Sequence, residues 1–280
     1  MPKPAPTLES RSVNTVWLNL LADIFNKGSN CTPRGKPTRE LLGHQTRINM
    51  AYPILTEPTR KLGYRFQAAE AAWILSGDNR VSTIAPYSKA ISNFSDDGFM
   101  FFGAYGPKIV DQLPYVARAL TDDADSRQAV LTIWRQSPPK VRDIPCTVSL
   151  QWLIRGEKLH CLASMRSSDA WLGWPYDVFN FSMVSLYLLN LLQTIFKESE
   201  LFQRLELGDL ILTAGSQHLY QEQWEGALKA IEAWDYGETP SISSLIRKPP
   251  PLVTEALWVM AEVSGGSLDG FKKLSQGELT

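Results

Sequence analysis

Apolar and polar residues alternate along this 280-residue chain with two different periods, the first of which is helical. In SVNTVWLNLLADIFNKG (12–28) apolar residues recur at helical spacing, Ser12 or Asn14 is placed to cap the segment, and Gly28 ends it. RFQAAEAAWILSGDN (65–79), which ends at Gly77, residues 107–122 and QEQWEGALKAIEAW (221–234) share this spacing. Each of these segments is predicted to form an amphipathic helix.

The second period is that of a β-strand, in which every other residue is apolar. TVSLQWLI (147–154) and LHCLASMR (159–166) flank a polar turn that contains Gly156, and this arrangement predicts a hairpin. DSRQAVLTIW (125–134) ends in strand-like residues, and LGDLILTAGSQHLY (207–220) is predicted as a strand followed by a turn at Gly215. Strands and helices are interleaved without a regular βαβ order, so the expected fold class is α+β.

One long segment is apolar on most helical faces. VFNFSMVSLYLLNLLQTIFKESE (178–200) has no charged residue before Lys197, and a helix of this kind is buried on most sides. The pattern leaves PPPLVTEALWVMAEV (249–263) undecided between a strand and a helix. We expect a flexible, Pro-rich N-terminus over residues 1–14 and a single domain over residues 15–280.

The composition narrows the functional classes. A net charge of −1 provides no broad basic surface for polymeric nucleic acid, so an anionic ligand would be met by a few placed arginines. The first residues lack the apolar core of a signal peptide, and polar residues interrupt the apolar run 183–195, so neither secretion nor a membrane partner is expected. Three cysteines are typical of a reducing, cytoplasmic setting, and no metal site is predicted.

A single cysteine in this framework has two interpretations. Cys146 follows Pro145 at the start of a predicted strand. It is either a buried core thiol, which is the commoner fate of a lone cysteine, or a nucleophile whose pKa is lowered by a nearby cation. Arg142 is the closest candidate cation in the sequence.

Other polar residues in loop-like settings also have two interpretations. The cluster after the hairpin is either a capped turn or a grip for an anion, and it consists of Arg166, Ser167, Ser168 and Asp169. Arg34 and Arg127 add guanidinium groups in two further loops. His218 and Tyr220 share one face of an extended segment, where they are either structural or ligand-binding.

Taken together, these stretches resemble thymidylate synthase and its pyrimidine-hydroxymethylating relatives. The resemblance covers roughly residues 15–235, and its motifs are RGKPTRELLGHQ, AAEAAWILSGD, FGAYG, DSRQAV, DIPCTVSLQWLI, MRSSDAWLGWPYD and GSQHLY. The spacing from Cys146 to the RSSD motif and onward to LGWP is highly specific. The resemblance implies a mixed β-sheet packed by helices, a homodimer formed through sheet faces, and 5,10-methylenetetrahydrofolate as the one-carbon donor.

The resemblance also implies a role for each matching residue. Cys146 is expected to add to C6 of a pyrimidine nucleotide, Glu70 to organise water and protonate the ring, and Tyr105 to lie near the C5 proton. The expected phosphate ligands are Arg34, Arg166 and Ser167, with Ser168 beside them, and Arg127 is lent across the dimer interface. His218 and Tyr220 are expected at the sugar, and the residues expected at the folate are Asp169, Trp73 and Gly173.

One carboxylate departs from the synthase pattern. In LGWPYDVFNFSMV (172–184), Asp177 stands where thymidylate synthases carry an asparagine that pairs with uracil. Cytosine presents the reverse pattern, because its N3 accepts and its N4 donates a hydrogen bond. A carboxyl group that holds one proton matches cytosine. The alternative is that Asp177 caps a helix that begins near Val178.

Further departures concern the product. Ser216 in GSQH replaces the synthase aspartate, and phage deoxycytidylate hydroxymethylases resemble this chain at both positions. Ile91 falls near the position of a synthase tryptophan, and the tail KKLSQGELT is polar rather than apolar. These features favour hydration of the transferred carbon over its reduction, because hydride transfer needs a dry, closed site. Arg60 and Lys61 are candidates for folate contacts.

The expected function is therefore 5-hydroxymethylation of a cytidylate, dCMP or CMP, by a cytoplasmic homodimer. One alternative is a dCMP C5-methyltransferase that reduces the methylene. Another is a CMP-specific hydroxymethylase of nucleoside antibiotic biosynthesis, and a third is an inactive relative that binds nucleotides or RNA. The sequence leaves open the choice between ribose and deoxyribose, and between a phage-infected bacterial cytoplasm and another source.

Overall fold

The computed structural model describes residues 12–233, 239–263 and 268–276, and a six-stranded sheet forms its centre. The strands occur in the spatial order β1-β2-β6-β5-β4-β3. Only β5 and β6 pair in parallel, whereas the other neighbours are antiparallel. Their bounds are β1 Ser29–Cys31, β2 Thr38–Asn49, β3 Val130–Thr132, β4 Thr147–Arg155, β5 Lys158–Asp169 and β6 Glu206–Tyr220.

The predicted hairpin is confirmed as β4 and β5. Gly156 and Glu157 form its turn with φ angles of 58° and 58°, the left-handed pair that matches the twist of the strands. The predicted turn at Gly215 is wrong, because β6 continues through this residue to Tyr220. A Cβ atom at Gly215 would lie 2.9 Å from the Arg166 carbonyl oxygen, so the glycine permits close approach of β5 rather than a turn.

Helices surround one side of the sheet. The predicted helices are confirmed. The undecided segment 249–263 forms helix α8, which packs against α2 and α5. The bounds are α1 Val13–Lys27, α2 Tyr64–Leu75, α3 Val81–Ile84, α4 Gly106–Asp122, α5 Trp174–Ile195, α6 Glu200–Arg204, α7 Trp224–Ala233, α8 Pro250–Val263 and α9 Leu268–Ser275.

The start of the central helix differs from the expectation. Helix α5 begins at Trp174, one turn before Val178, with Gly173 at its N-cap and Pro175 in its first turn. Asp177 therefore lies inside the first turn, and no side chain caps this helix. The interpretation of Asp177 as an N-cap is wrong.

Two further boundary expectations need correction. Ser12 occupies the N-cap of α1 without a side-chain hydrogen bond, and the Asn14 side chain instead bonds to Thr56. Helix α1 begins at Val13, so it takes in the last two residues of the segment expected to be flexible. Residues 1–11 of that segment, and residues 277–280 of the polar tail, lie outside the described residues.

The central helix is a core element. Its 22 residues are long and apolar enough to cross a membrane, contrary to the expectation from the interrupted apolar run. Most of them are nevertheless buried inside the fold, where Trp174, Phe179 and Phe181 pack among the largest buried side chains. Burial against protein accounts for the apolar character of α5.

The two faces of the sheet differ in character. On β4, β5 and β6 the side chains of one face, such as Trp152, Ala163 and Leu212, are buried against the helices. Residues on the other face are exposed or half-buried, namely Gln45, Arg47, Ser149, Gln151, Leu153, Leu162, Ser164, Ile211 and Thr213. Towards the active-site end of the strands, Ser168, Gln217 and Leu219 of this second face are buried, so its exposed part lies over the middle of the sheet.

Candidate active site

Four strands bring the candidate residues together where these strands begin or end, on the side of the sheet called its active-site edge below. The parallel strands β5 and β6 end there, and the antiparallel strands β4 and β2 begin there. Ser167 lies opposite Ser216, and Asp169 lies opposite His218, on the face that the helices cover. Cys146 immediately precedes β4 at the same edge, so residues distant in sequence become neighbours.

The Cys146 thiol lies in a half-buried position between this edge and the helices. Ser167 Oγ lies 3.7 Å from Cys146 Sγ and donates to it. Burial raises the pKa of Cys146, and nearby Asp177 and Asp143 act in the same direction. Arg166 and the Ser167 hydrogen bond lower the pKa, but in the free protein burial outweighs them.

The cation near the thiol is Arg166 rather than Arg142. Arg166 Nε and Nη2 each donate at 3.0 Å, to the carbonyl oxygens of Pro145 and Ile144 respectively. Its Nη1 donates to Ser167 Oγ at 3.1 Å. Arg142 instead pairs with Asp96 and donates to the Ser95 carbonyl oxygen. Arg166 is therefore fixed beside Cys146, as the resemblance implies.

Two helices bring carboxyl groups towards the thiol. Glu70 lies in α2, and its Oε2 accepts a hydrogen bond of 2.8 Å from Asn180 Nδ2 in α5. Burial raises the pKa of Glu70 to about 7, while the hydrogen bond from Asn180 lowers it. A carboxyl group with such a pKa suits proton transfer near neutral pH.

Asp177 lies one helical turn before Asn180 and faces the same site. Burial raises its pKa well above the usual range, and the neighbouring carboxylates of Glu70 and Asp169 raise it further. None of the described residues donates a hydrogen bond to its carboxyl group. These effects favour the neutral form of the Asp177 carboxyl group, against the positive end of the helix dipole.

Tyr105 lies between the thiol and α5. Its hydroxyl oxygen accepts a hydrogen bond of 3.4 Å from the Thr147 backbone N–H, and its ring stacks on Phe181 at 6.4 Å. Burial raises the pKa of Tyr105, and Asp177 and Cys146 raise it further. These mutual effects show that Tyr105, Asp177 and Cys146 converge.

The pair expected at the sugar extends this edge towards β2. His218 and Tyr220 pack edge to face with ring centroids 5.1 Å apart, and Arg34 Nη2 donates to the Tyr220 hydroxyl at 3.2 Å. Ser216 Oγ donates a very short hydrogen bond to Glu40 Oε2. Glu40 thus brings a carboxylate from β2 to the place where Ser216 lacks one.

The residues expected at the folate differ in exposure. Asp169 Oδ1 accepts from the backbone N–H groups of Trp171 and Leu172 at 2.9 and 2.8 Å, and Gly173 follows in the same turn. Arg60 Nε donates to the Trp171 carbonyl oxygen at 2.6 Å. Trp73 is 5% exposed and packs on Phe101, so its indole has little surface left for a ligand.

Two expected ligands do not join the others. Ser168 points to the opposite side of β5 from Ser167, and Gln217 Nε2 donates to its Oγ at 3.3 Å. We therefore remove Ser168 from the proposed substrate contacts. Arg127 is exposed, and its carbonyl oxygen accepts from Gln151 Nε2 at 2.8 Å, five residues along β4 from Cys146. At a rise of about 3.3 Å per residue, the backbone of Gln151 lies about 16 Å along β4 from that of Cys146.

Two residues at the site escaped the sequence analysis. Asn180 lay in a segment interpreted only as a buried helix, although its spacing of three residues from Asp177 was a usable signal. Glu40 lay in a quoted motif, but its neighbour Ser216 is 176 residues away, and strand pairing cannot be deduced from a single sequence.

A buried thiol beside a fixed arginine and two carboxyl groups with raised pKa values is a site for covalent catalysis on a polar substrate. The family model of thymidylate synthase matches residues 15–250, and the chain belongs to this family. The family comprises folate-dependent enzymes that transfer one carbon to C5 of a pyrimidine. Its members bind a nucleoside monophosphate, use methylenetetrahydrofolate and typically form dimers. The expected fold class is thereby confirmed.

Proposed function

We propose that this protein is a cytidylate 5-hydroxymethyltransferase that acts on dCMP with 5,10-methylenetetrahydrofolate. The single observation that carries the proposal is the unpartnered carboxyl group of Asp177 near Cys146, whose pKa is raised by burial and by Glu70 and Asp169. A neutral carboxyl group offers one donor and one acceptor, whereas the amide of a synthase offers its groups in the pattern for uracil. In this account Asp177 donates to cytosine N3 and accepts from the N4 amino group.

The proposed chemistry begins at the thiol. Arg166 and Ser167 stabilise the Cys146 thiolate, which adds to C6 and makes C5 nucleophilic. The protonated Asp177 withdraws electron density at N3 and so eases this addition. We propose that Glu70, bonded to Asn180, and Tyr105, bonded to Thr147, exchange a proton with the ring or with a bound water. When bound, the folate supplies one carbon at the oxidation level of formaldehyde.

The proposed folate surface consists of Asp169, Gly173 and Arg60. Asp169 uses one oxygen for two backbone N–H groups and leaves the other to a donor on the pterin. The Arg60 guanidinium lies 5.5 Å from the Trp171 ring and 5.9 Å from the Tyr176 ring, which gives a flat, partly aromatic wall. This polar and aromatic donor set fits a pterin.

We propose hydration rather than reduction because this chain differs from the synthases at the residues that exclude water from their site. Ile91 is half-buried near the position of the synthase tryptophan, and Leu268–Ser275 form the charged helix α9. In this account loss of the C5 proton expels tetrahydrofolate, without oxidation, and leaves an exocyclic methylene on C5. Water adds to this methylene, the Cys146–C6 bond breaks, and the product is 5-hydroxymethyl-dCMP.

The proposed phosphate and sugar contacts lie along the sheet edge. Arg34, Arg166 and Ser167 supply donors to the phosphate, and His218 and Tyr220 contact the sugar. The deoxyribonucleotide remains our preference. We place the enzyme in the cytoplasm, as a homodimer in which Arg127 completes the partner's phosphate site, with residues 15–280 as one catalytic domain.

The test is product identification by mass spectrometry. The protein is incubated with methylenetetrahydrofolate and, separately, dCMP, CMP or dUMP, while absorbance reports dihydrofolate. The proposal predicts that dCMP gains the mass of one CH2O and that no dihydrofolate forms. A product from dUMP alone contradicts the base assignment, and a methylated cytosine with dihydrofolate indicates the methyltransferase instead. Cys146→Ser is the control, and it should abolish exchange of the C5 proton.

A further inference from the structure

One contact in the site, between Asn180 and Glu70, has no role in the chemistry proposed for the enzyme. Asn180 is 4% exposed, and its Nδ2 donates to Glu70 Oε2 at 2.8 Å. Its Oδ1 is buried and has no hydrogen-bond partner among the described residues. Leaving such an oxygen unpaired destabilises the fold, so the arrangement calls for a function.

An amide can serve a carboxyl group in both protonation states. Its NH2 group donates to a carboxylate, and its carbonyl oxygen accepts from a protonated carboxyl group after the amide rotates by half a turn. A leucine or serine at the same position could not exchange a donor for an acceptor of equal reach. Asn180 itself never gains or loses a proton.

We propose that Asn180 is a positioning residue that holds the Glu70 carboxyl group towards the base before and after Glu70 exchanges its proton. In each state one end of the amide binds Glu70, and the other end faces the site and is free to hold the water that exchanges the proton. The inference rests on the proposed role of Glu70 as the proton-transfer group.

The other charged groups around α2 leave this contact undisturbed. Asp177 and Tyr176 of α5 are the titratable groups that interact with Glu70. Charged side chains of two neighbouring elements are engaged elsewhere: Glu262 of α8 with Arg65 and Tyr87, and Arg80 before α3 with Asp78. Lys108 of α4 is influenced by the charges of Arg135 and Asp143 and has no hydrogen-bond partner among the described residues. Asn180 is thus the direct hydrogen-bond partner through which Glu70 is held.

The chain offers a matched control in the same helix. Asn190 is fully buried in α5, its Nδ2 donates to the Leu245 carbonyl oxygen at 2.8 Å, and its Oδ1 accepts from the Arg247 backbone N–H at 2.9 Å. Both ends of this amide are paired with backbone groups. Asn190 therefore has a structural role, and its replacement tests for loss of stability alone.

The experiment compares Asn180→Leu, Asn180→Ser and Asn190→Leu. In the nucleotide-free protein, the 13C carboxyl signal of Glu70 reports its titration, and the pH profile of kcat/KM is measured with whichever nucleotide is turned over. Because the hydrogen bond from the amide to the charged carboxylate is stronger than its bond to the neutral carboxyl group, Asn180→Leu should raise the pKa of Glu70 above about 7. It should also lower kcat by about 10- to 100-fold at constant KM, and Asn180→Ser should restore part of both.

Asn190→Leu should leave the Glu70 titration and the pH profile unchanged. The inference is overturned if Glu70 titrates in Asn180→Leu as it does in the parent protein, or if both leucine variants change kcat alike. If Asn180→Leu does not fold, the titration of Glu70 is measured in Asn180→Ser instead. A preference for dUMP would defeat the proposed base assignment without affecting the carboxyl titration, so the two failures are distinguishable.

Discussion

Three carboxyl groups differ in pKa because their surroundings differ. Burial raises the pKa values of Glu70 and Asp177, whereas hydrogen bonds from Arg80 hold the pKa of Asp78 well below its usual range. Glu70 and Asp177 are placed to exchange or hold protons, and Asp78 is placed to fix a loop. The first two therefore reduce the stability of the free protein, and the third adds to it.

Replacing Glu70 should make the protein more stable above neutral pH. Its pKa is about 4.5 when unfolded and about 7 when folded, so the stability of the parent protein falls as the pH rises through this window. Glu70→Gln removes this loss, which amounts to at most about 3 kcal/mol above pH ~8. Urea denaturation at a series of pH values measures it.

Asp78→Asn is the control, because its effect on stability should have the opposite sign to that of Glu70→Gln. Because the folded-state pKa of Asp78 is lowered, this variant should be less stable than the parent at neutral pH, and the difference should shrink as the pH falls through that folded-state pKa. Identical pH dependence of Glu70→Gln and the parent protein would contradict the raised pKa of Glu70.

The sequence identified much of the site residue by residue, because the motifs around Cys146, Arg166 and Asp177 have distinctive spacing. It misjudged Ser168, since a run of adjacent polar residues does not show which of them the strand turns towards the site. Closeness in sequence alone suggested Arg142 as the cation near the thiol, whereas the structure has Arg166 there. Closeness in sequence does not determine which guanidinium group the folded chain brings to the sulfur.

At the scale of elements, periodic segments were predicted reliably and their ends were not. Helix α5 begins at Trp174 in an aromatic, proline-containing stretch without a polar capping residue, so the pattern gave no start signal there. Gly215 suggested a turn, but its small size serves strand contact. Helix α8 remained undecided because its apolar residues contact α2 and α5 on several sides.

The last helices should be integral to the fold, although α9 lies beyond the residues that the family model matches. Phe271 of α9 is 1% exposed, and its ring lies 5.3 Å from Phe179 of α5 and 5.8 Å from Tyr64 of α2. Phe271→Ala should cost about 3–5 kcal/mol, because it leaves a cavity between these helices. Denaturant unfolding followed by circular dichroism measures this change.

An exposed apolar residue on α8 provides the comparison. Leu252 is 46% exposed, and Leu252→Ala should change the free energy of unfolding by less than about 0.5 kcal/mol. If Phe271→Ala and Leu252→Ala unfolded at the same denaturant concentration, α9 would not be anchored as described.

At the scale of the whole molecule, the exposed part of the second sheet face and the position of Arg127 point to the same arrangement. This face carries half-buried Leu153, Leu162 and Ile211 among polar residues. The backbone of Arg127 contacts Gln151, about 16 Å along β4 from Cys146 of its own chain. The proposed homodimer covers the face and brings each Arg127 to the other active site.

Mixed dimers test this arrangement. Cys146→Ser and Arg127→Ala should each be nearly inactive alone, yet a heterodimer should contain one complete site, formed by Cys146 of one subunit and Arg127 of the other. Unfolding and refolding the two variants together should therefore restore activity, and each variant carried through the same procedure alone is the control. Absence of recovery despite heterodimer formation would place Arg127 outside the partner's site.

The most direct test of the central claim is the base preference of Asp177→Asn. The parent protein should turn over dCMP in preference to dUMP, and the amide should shift the ratio of kcat/KM values towards dUMP by about 5- to 150-fold, since a bidentate base contact is worth about 1–3 kcal/mol. Steady-state kinetics with both nucleotides measures this ratio. An unchanged ratio in Asp177→Asn would contradict the reading of cytosine by a neutral carboxyl group.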